Sequence, residues 1–215
     1  VNIHLVVAHP EKQSFNFALH ELAVRVLTEQ GATLRITDLY GEQFDPVAGH
    51  NDVINLPELG AFNLAKAQRW ALEHQAFCAD IYQEQEKLIV SDVLVMQFPL
   101  WWWSFPAVLK GWIDRVLSSG FAYGEGASLA PKKVMYSITT GGASDQAELD
   151  YYRDKIAGLY QDIFGFIGWQ ALPPFIAHGV QKKSLPERRS LLEQYERHLL
   201  THLVESQTTG VAEHA

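Results

Sequence analysis

Short apolar runs alternate with longer amphipathic stretches along most of this chain, and that alternation restricts the fold more than any other feature. Ile3 to Ala8 reads as a strand. Phe15 to Gln30 reads as a helix, with Ser14 placed to cap its start and Gly31 just past its end, and Thr33 to Asp38 as a second strand. Leu39 to Pro57 is a long irregular connection, and Leu59 to Glu86 is mostly helical, in two pieces. Val93 to Phe98 is apolar enough to be a strand covered on both faces. Pro106 then opens a helix whose Val108, Leu109, Trp112, Ile113 and Val116 share one face. Lys133 to Thr140 is a fourth strand, Leu149 to Phe166 a helix, Trp169 to Ala177 a fifth strand and Leu185 to Val204 the last helix.

Strands separated by helices call for parallel pairing, because each crossover must be right-handed and return to the same sheet. The expected fold class is α/β, a flavodoxin-like three-layer sandwich with a five-stranded parallel sheet in the order 2-1-3-4-5. Ligands of such sheets sit beyond the carboxyl ends of the strands, where the strand order reverses. With 47% hydrophobic residues in 215, the chain can bury a full core, and residues 1–205 are expected to form one domain with a frayed tail at 206–215.

A net charge of -8 without a basic run argues against nucleic acid or an anionic membrane as partner. The single cysteine, Cys78, allows no intrachain disulfide and fits a reducing compartment, so a cytoplasmic location is expected. Val1 to Ala8 has the pattern of a strand and not of a secretory leader, and no apolar run approaches the roughly 20 residues that span a bilayer.

The predicted order brings three unusual loops to one rim: His9 to Asn16, Pro99 to Phe105 and Thr139 to Ser144. The first enters a helix whose unpaired N–H groups and dipole suit a phosphate, with Ser14 and Asn16 as further donors and Lys12 as a counter-charge. The second carries Trp101, Trp102 and Trp103, more aromatic surface than a connection needs. Three adjacent residues cannot all face the core, so at least one indole is available to a flat ring or an interface. The third, Thr139-Thr140-Gly141-Gly142, offers hydroxyls and an open backbone to the polar edge of a heterocycle. Phosphate donors, a stacking wall and an edge reader at one crevice are what a flavin nucleotide requires. No G-x-G-x-x-G follows the first strand and no G-x-x-x-x-G-K-[ST] occurs. A nicotinamide dinucleotide is therefore expected as a visiting substrate. His9-Pro10 stands where a phosphorylated receiver domain would need acidic residues.

These residues resemble the NAD(P)H:quinone oxidoreductases and the flavoprotein ancillary subunits of potassium efflux systems. The resemblance lies in Ala8 to Asn16, Asp38-Leu39-Tyr40, Phe44-Asp45-Pro46, Asp80 to Gln85, Gln97 to Val116, Phe121-Ala122-Tyr123 and Ser137 to Gly142, and covers residues 1 to 178. It implies a homodimer with flavin sites at the subunit interface and a ping-pong transfer of hydride from NADH or NADPH to a quinone. By the same resemblance His9, Ser14, Phe15 and Asn16 hold the phosphates and ribityl chain. Pro99, Leu100, Trp101, Trp102 and Trp103 flank the ring, with Trp102 as principal stacking residue. Thr139, Thr140, Gly141 and Gly142 bind the ring edge, and Tyr123 approaches the substrate pocket from the partner.

The helical segment from Leu59 to Glu86 resembles the FAD-using members more than the FMN-using ones; FMN is the alternative. The Tyr and His that follow the Thr-Thr-Gly-Gly loop in mammalian members have no clean match here. Tyr151 and Tyr152 are displaced, so no catalytic residue is assigned, and His178 resembles the ancillary subunits at that place. Two other functions compete: a regulatory flavoprotein of a potassium efflux system, and a flavodoxin-type electron carrier. No metal site is expected.

Overall fold

The computed structural model describes residues 1–57, 60–142 and 145–205. Among them the elements run β1 (Asn2–Val7), α1 (Phe15–Glu29), β2 (Thr33–Asp38), α2 (Leu64–His74), α3 (Ala79–Ile89), β3 (Val93–Pro99), α4 (Ala107–Val116), β4 (Lys133–Thr139), α5 (Gln146–Leu159), β5 (Gln170–Ala171), β6 (Phe175–Ala177) and α6 (Leu185–Leu199). All strand pairs are parallel, and the sheet order is β2-β1-β3-β4-β5, with β6 also on β4. The expected flavodoxin-like α/β fold is therefore present, and its strand order reverses between β1 and β3. The expected tail at 206–215 lies outside the described residues, as do Leu59 and Ala143-Ser144.

Several boundaries differ from expectation, α3 for one running to Ile89 and not Glu86, and three of the differences have a local reason. The fifth strand is broken into β5 and β6 by Pro173-Pro174, because proline has no N–H to donate to a ladder. The α5 helix starts at Gln146, not Leu149, because Asp145 caps it by accepting from the Glu148 N–H at 2.9 Å. Pro106 is the capping residue of α4 and not its first helical residue. Both α5 and α6 continue through one π-helical turn, at Tyr160–Gly165 and Leu200–Glu205.

Helices cover both faces of the sheet. On one side Leu19, Ala23 and Leu27 of α1 and Tyr195 and Leu199 of α6 pack on Ile3, Val95 and Met135. On the other, Leu88 of α3, Leu109, Trp112 and Val116 of α4 and Ile156 of α5 pack on Val6, Met96 and Tyr136. Alternate residues of each strand serve opposite layers, and every residue of β3 is buried.

Two buried polar knots fasten this second layer. Glu84 of α3 accepts from Trp112 Nε1 at 2.7 Å, Lys87 Nζ at 2.5 Å and Thr37 Oγ1 at 2.9 Å. Thr37, its proton spent on the carboxylate, accepts from His4 Nε2 at 2.9 Å, and burial pushes the His4 pKa down to about 3. The second knot is Arg115 of α4. Its Nε donates to Asp52 at 2.7 Å, and its Nη1 donates to the Asp45 carbonyl at 2.7 Å and to Asp80 at 2.6 Å. The irregular connection after β2 is thereby drawn onto α4. Gly111 shows how closely: a Cβ there would run into the Pro46 carbonyl. Gly111→Ala is expected to lower the unfolding free energy by about 1–3 kcal/mol, read from the urea midpoint, since two backbones would have to separate.

Candidate functional site

The carboxyl ends of β1, β3 and β4 lie side by side, with Val7 opposite Gln97 and Pro99 opposite Thr139. Beyond β1 the chain passes His9 and enters α1. Ser14 caps that helix, its hydroxyl oxygen accepting from the Phe17 N–H at 3.3 Å, and the first turn carries no acidic residue. Its N–H groups have no intrahelical acceptor, so the helix end offers donors and a positive dipole to an anion. His9 Nδ1 lies 3.0 Å from the Glu11 nitrogen and 3.2 Å from the Glu11 carbonyl oxygen, so the ring is latched to that turn by its Nδ1 edge. Burial lowers the His9 pKa, favouring the neutral form.

Asn16 is turned inward. Its amide donates to Thr139 Oγ1 at 2.5 Å and accepts from Gln97 Nε2 at 2.7 Å, tying α1 to the ends of β3 and β4. The expected Asn16 side-chain donor is thus spent within the protein. Gln97 is one residue that the sequence reading did not assign to the site, although one polar amide in an otherwise apolar strand was the signal.

After β3, Trp101 to Ser104 close a two-residue reverse turn: the Ser104 N–H donates to the Trp101 carbonyl at 3.0 Å. Trp102 and Trp103 occupy its centre at φ 49° and 58°, both left-handed. That is the pattern of a type I′ turn, which ordinarily takes Asn-Gly, and bulky residues there are strained. Trp102 projects with 96% of its surface exposed. Trp101 is 6.1 Å from His9, and Trp103 packs on Tyr151 at 4.7 Å and Tyr152 at 4.6 Å.

The third loop leaves β4 at Thr139. Its Thr140 Oγ1 donates to the Gly142 carbonyl at 2.7 Å and lies 3.2 Å from His178 Nδ1. One open crevice of about 570 Å³ is lined by His9, Ser14, Phe15, Asn16, Pro99, Leu100, Trp101, Trp102, Thr139, Thr140 and Gly141. Trp103, Gly142 and Tyr123 are not among its walls; Gly142 borders a neighbouring crevice with His178, and the Tyr123 ring lies 6.4 Å from exposed Phe166. Val180, Gln181 and Arg188 also line the crevice. Lys12, expected as the counter-charge, is paired with Asp38 and sits over the Phe17 ring, and the cation lining the crevice is Arg188. Arg188 Nε donates to the Val180 carbonyl at 3.1 Å, so its guanidinium is held across the loop after β6.

A family profile described as a flavodoxin-like fold matches residues 1–200. Mouse ribosyldihydronicotinamide dehydrogenase [quinone] is 35% identical over 209 residues, covering 91% of this chain and 89% of that protein. Rat NAD(P)H dehydrogenase [quinone] 1 is 34% identical over 212 residues, covering 94% and 77%. The chain belongs to the NAD(P)H:quinone oxidoreductase family. A crystal structure of a Klebsiella pneumoniae protein, provisionally named a quinone reductase, superposes with a TM-score of 0.86 at 30% identity, over 93% of this chain and 84% of that one.

Aromatic rings pack beside the glycine rim. Tyr152 is buried, its ring 5.3 Å from His178, and burial raises its pKa, with Glu148 adding to the effect and Thr140 opposing it. Tyr151 is exposed on the outer edge of Trp103. Among the described residues no three His, Cys, Asp or Glu side chains cluster as a metal site would need, and no helix is long and apolar enough to cross a membrane.

Proposed function

We propose that this chain is an FAD-dependent NAD(P)H:quinone reductase, a single domain over residues 1–205 acting as a homodimer. The observation that carries the reading is the meeting of three unlike surfaces in one crevice: a helix N-terminus, an indole wall and a Thr-Gly rim. The residues fit a flavin nucleotide. Ser14, Phe15 and His9 stand at the helix N-terminus to receive phosphate, while Pro99, Leu100, Trp101 and Trp102 form a wall for a flat ring. Thr139, Thr140 and Gly141 face the ring's polar edge, with Gly142 behind them on the neighbouring crevice. Arg188 in the crevice lining favours FAD over FMN, because a cation in addition to the helix N-terminus suits a second phosphate.

When bound, the flavin supplies a two-electron carrier that takes hydride from NADH or NADPH and passes it to a quinone. The chain's own share is positioning. Trp102 stands at the open side of the crevice, where a nicotinamide and then a quinone lie flat in turn, and proximity takes the place of acid or base chemistry. Trp103 supports this wall from behind through Tyr151 and Tyr152. Tyr123 and its neighbour Phe166 extend toward the second subunit's substrate pocket.

Heating the purified protein should release a molecule with the mass of FAD. NADH or NADPH should bleach the bound flavin, and a quinone should restore its colour. A colourless protein that takes up neither FAD nor FMN overturns the proposal; release of FMN alone overturns the choice between them.

A further inference from the structure

Thr140 meets three polar groups: the Gly142 carbonyl, His178 Nδ1 and the Tyr152 hydroxyl, which brings its own proton. The Gly142 carbonyl can only accept, so the Thr140 hydroxyl proton points to it across 2.7 Å. The same oxygen is 3.2 Å from His178 Nδ1. Having no second proton, Thr140 accepts there, and the proton between the two residues belongs to Nδ1. The His178 ring is half-buried against Tyr152. Gly142 is confined from the other side, since a Cβ on it would stand 3.1 Å from both Tyr152 Oη and Glu148 Oε1. The rim is therefore held by a relay that begins on the loop after β6, about 40 residues downstream.

We propose that His178 is a positioning residue for the ring-edge rim: its Nδ1–H orients Thr140, and Thr140 in turn fixes the Gly142 carbonyl. A carbonyl committed to Thr140 is not free to turn its oxygen toward the acceptor-rich edge of a flavin, which leaves the rim's donors to face that edge. The inference rests on the flavin reading above. Burial lowers the His178 pKa, with Arg153 and Lys183 adding to the effect and Glu148 opposing it. A neutral ring with its proton on Nδ1 keeps the bond to Thr140.

The test uses the purified flavoprotein and three variants: His178→Leu, His178→Asn, whose amide can donate where Nδ1–H does, and Thr140→Val. His178→Leu should weaken retention of FAD about tenfold and shift the bound flavin's midpoint potential, with little change in melting temperature. His178→Asn should restore both. Thr140→Val should show the same loss and add little to His178→Leu. Wild-type retention in His178→Leu, or a His178→Asn as defective as His178→Leu, overturns the inference. Ring ¹⁵N spectra of His178 at pH 8 supply a readout that needs no flavin. A proton on Nε2 overturns the inference whatever the flavin does. If Nδ1 carries the proton but the wild-type chain takes up neither FAD nor FMN, the flavin reading fails; the Thr140–His178 bond stands, and its role at a flavin edge falls.

Discussion

Arg115→Met should cost about 3–5 kcal/mol of unfolding free energy, the expected result of breaking a buried ion pair from one side. Arg115 is 2% exposed and its partner Asp52 is 1% exposed. Methionine fills much of the arginine stem, so little packing is lost, but the Asp52 carboxylate keeps its charge without the guanidinium. The Gly49 N–H, which donates to Asp52 at 3.1 Å, remains as a lesser partner. The loss should come mainly from Asp52 and the Asp45 carbonyl, because the Asp80 carboxylate is 40% exposed and water can take over its solvation. Urea unfolding of Arg115→Met, Asp52→Asn and the double variant separates these terms. The double variant should lose less than the two single losses added together, because each single change strands the other's polar group. Additive losses would show that Arg115 acts through packing on Phe44, whose ring lies 4.9 Å away, and not through its charge.

This knot also marks where reading from sequence stops. The limits of β2 follow from its residues, since Gly31 ends the preceding helix and Thr33 to Asp38 is β-rich. The sheet order follows from alternation, and with it the gathering of His9, Trp102 and Thr140 at one crevice. The connection from Leu39 to Pro57 is different. Its course depends on a charge pair across 63 positions and on a glycine in a distant helix, and neither leaves a periodic signal. Arg188 was hidden in the same way, because its approach to the crevice depends on where α6 begins, which the Ser184-Glu187 capping box decides. The break at Pro173-Pro174 and the Asp145 cap were legible but outweighed by hydrophobic pattern. The outward turn of at least one tryptophan followed from three adjacent residues; the left-handed backbone that accomplishes it did not.

That backbone supports the second large expectation: Trp102→Gly should stabilise the fold while impairing turnover. A non-glycine residue in the left-handed region costs about 1–2 kcal/mol, and glycine removes that cost at the price of some unfolded-state entropy. The exposed Trp102 side chain gives up almost no buried surface on removal. The net expectation is a gain of about 1 kcal/mol in urea unfolding. Trp103 has the same backbone sign but packs on two tyrosines, each such contact worth about 0.5–1.5 kcal/mol, so Trp103→Gly should gain nothing or lose. Opposite responses at two neighbouring positions would separate backbone strain from packing. Quinone reduction by NADH should fall at least about tenfold in Trp102→Gly if the indole holds the visiting ring against the flavin. A less stable Trp102→Gly would show that the indole stabilises the fold, and unimpaired turnover would remove it from the substrate site. A residue that strains its own backbone, buries almost nothing and faces an open crevice is retained for what it contacts there, which is why stability and turnover should move in opposite directions.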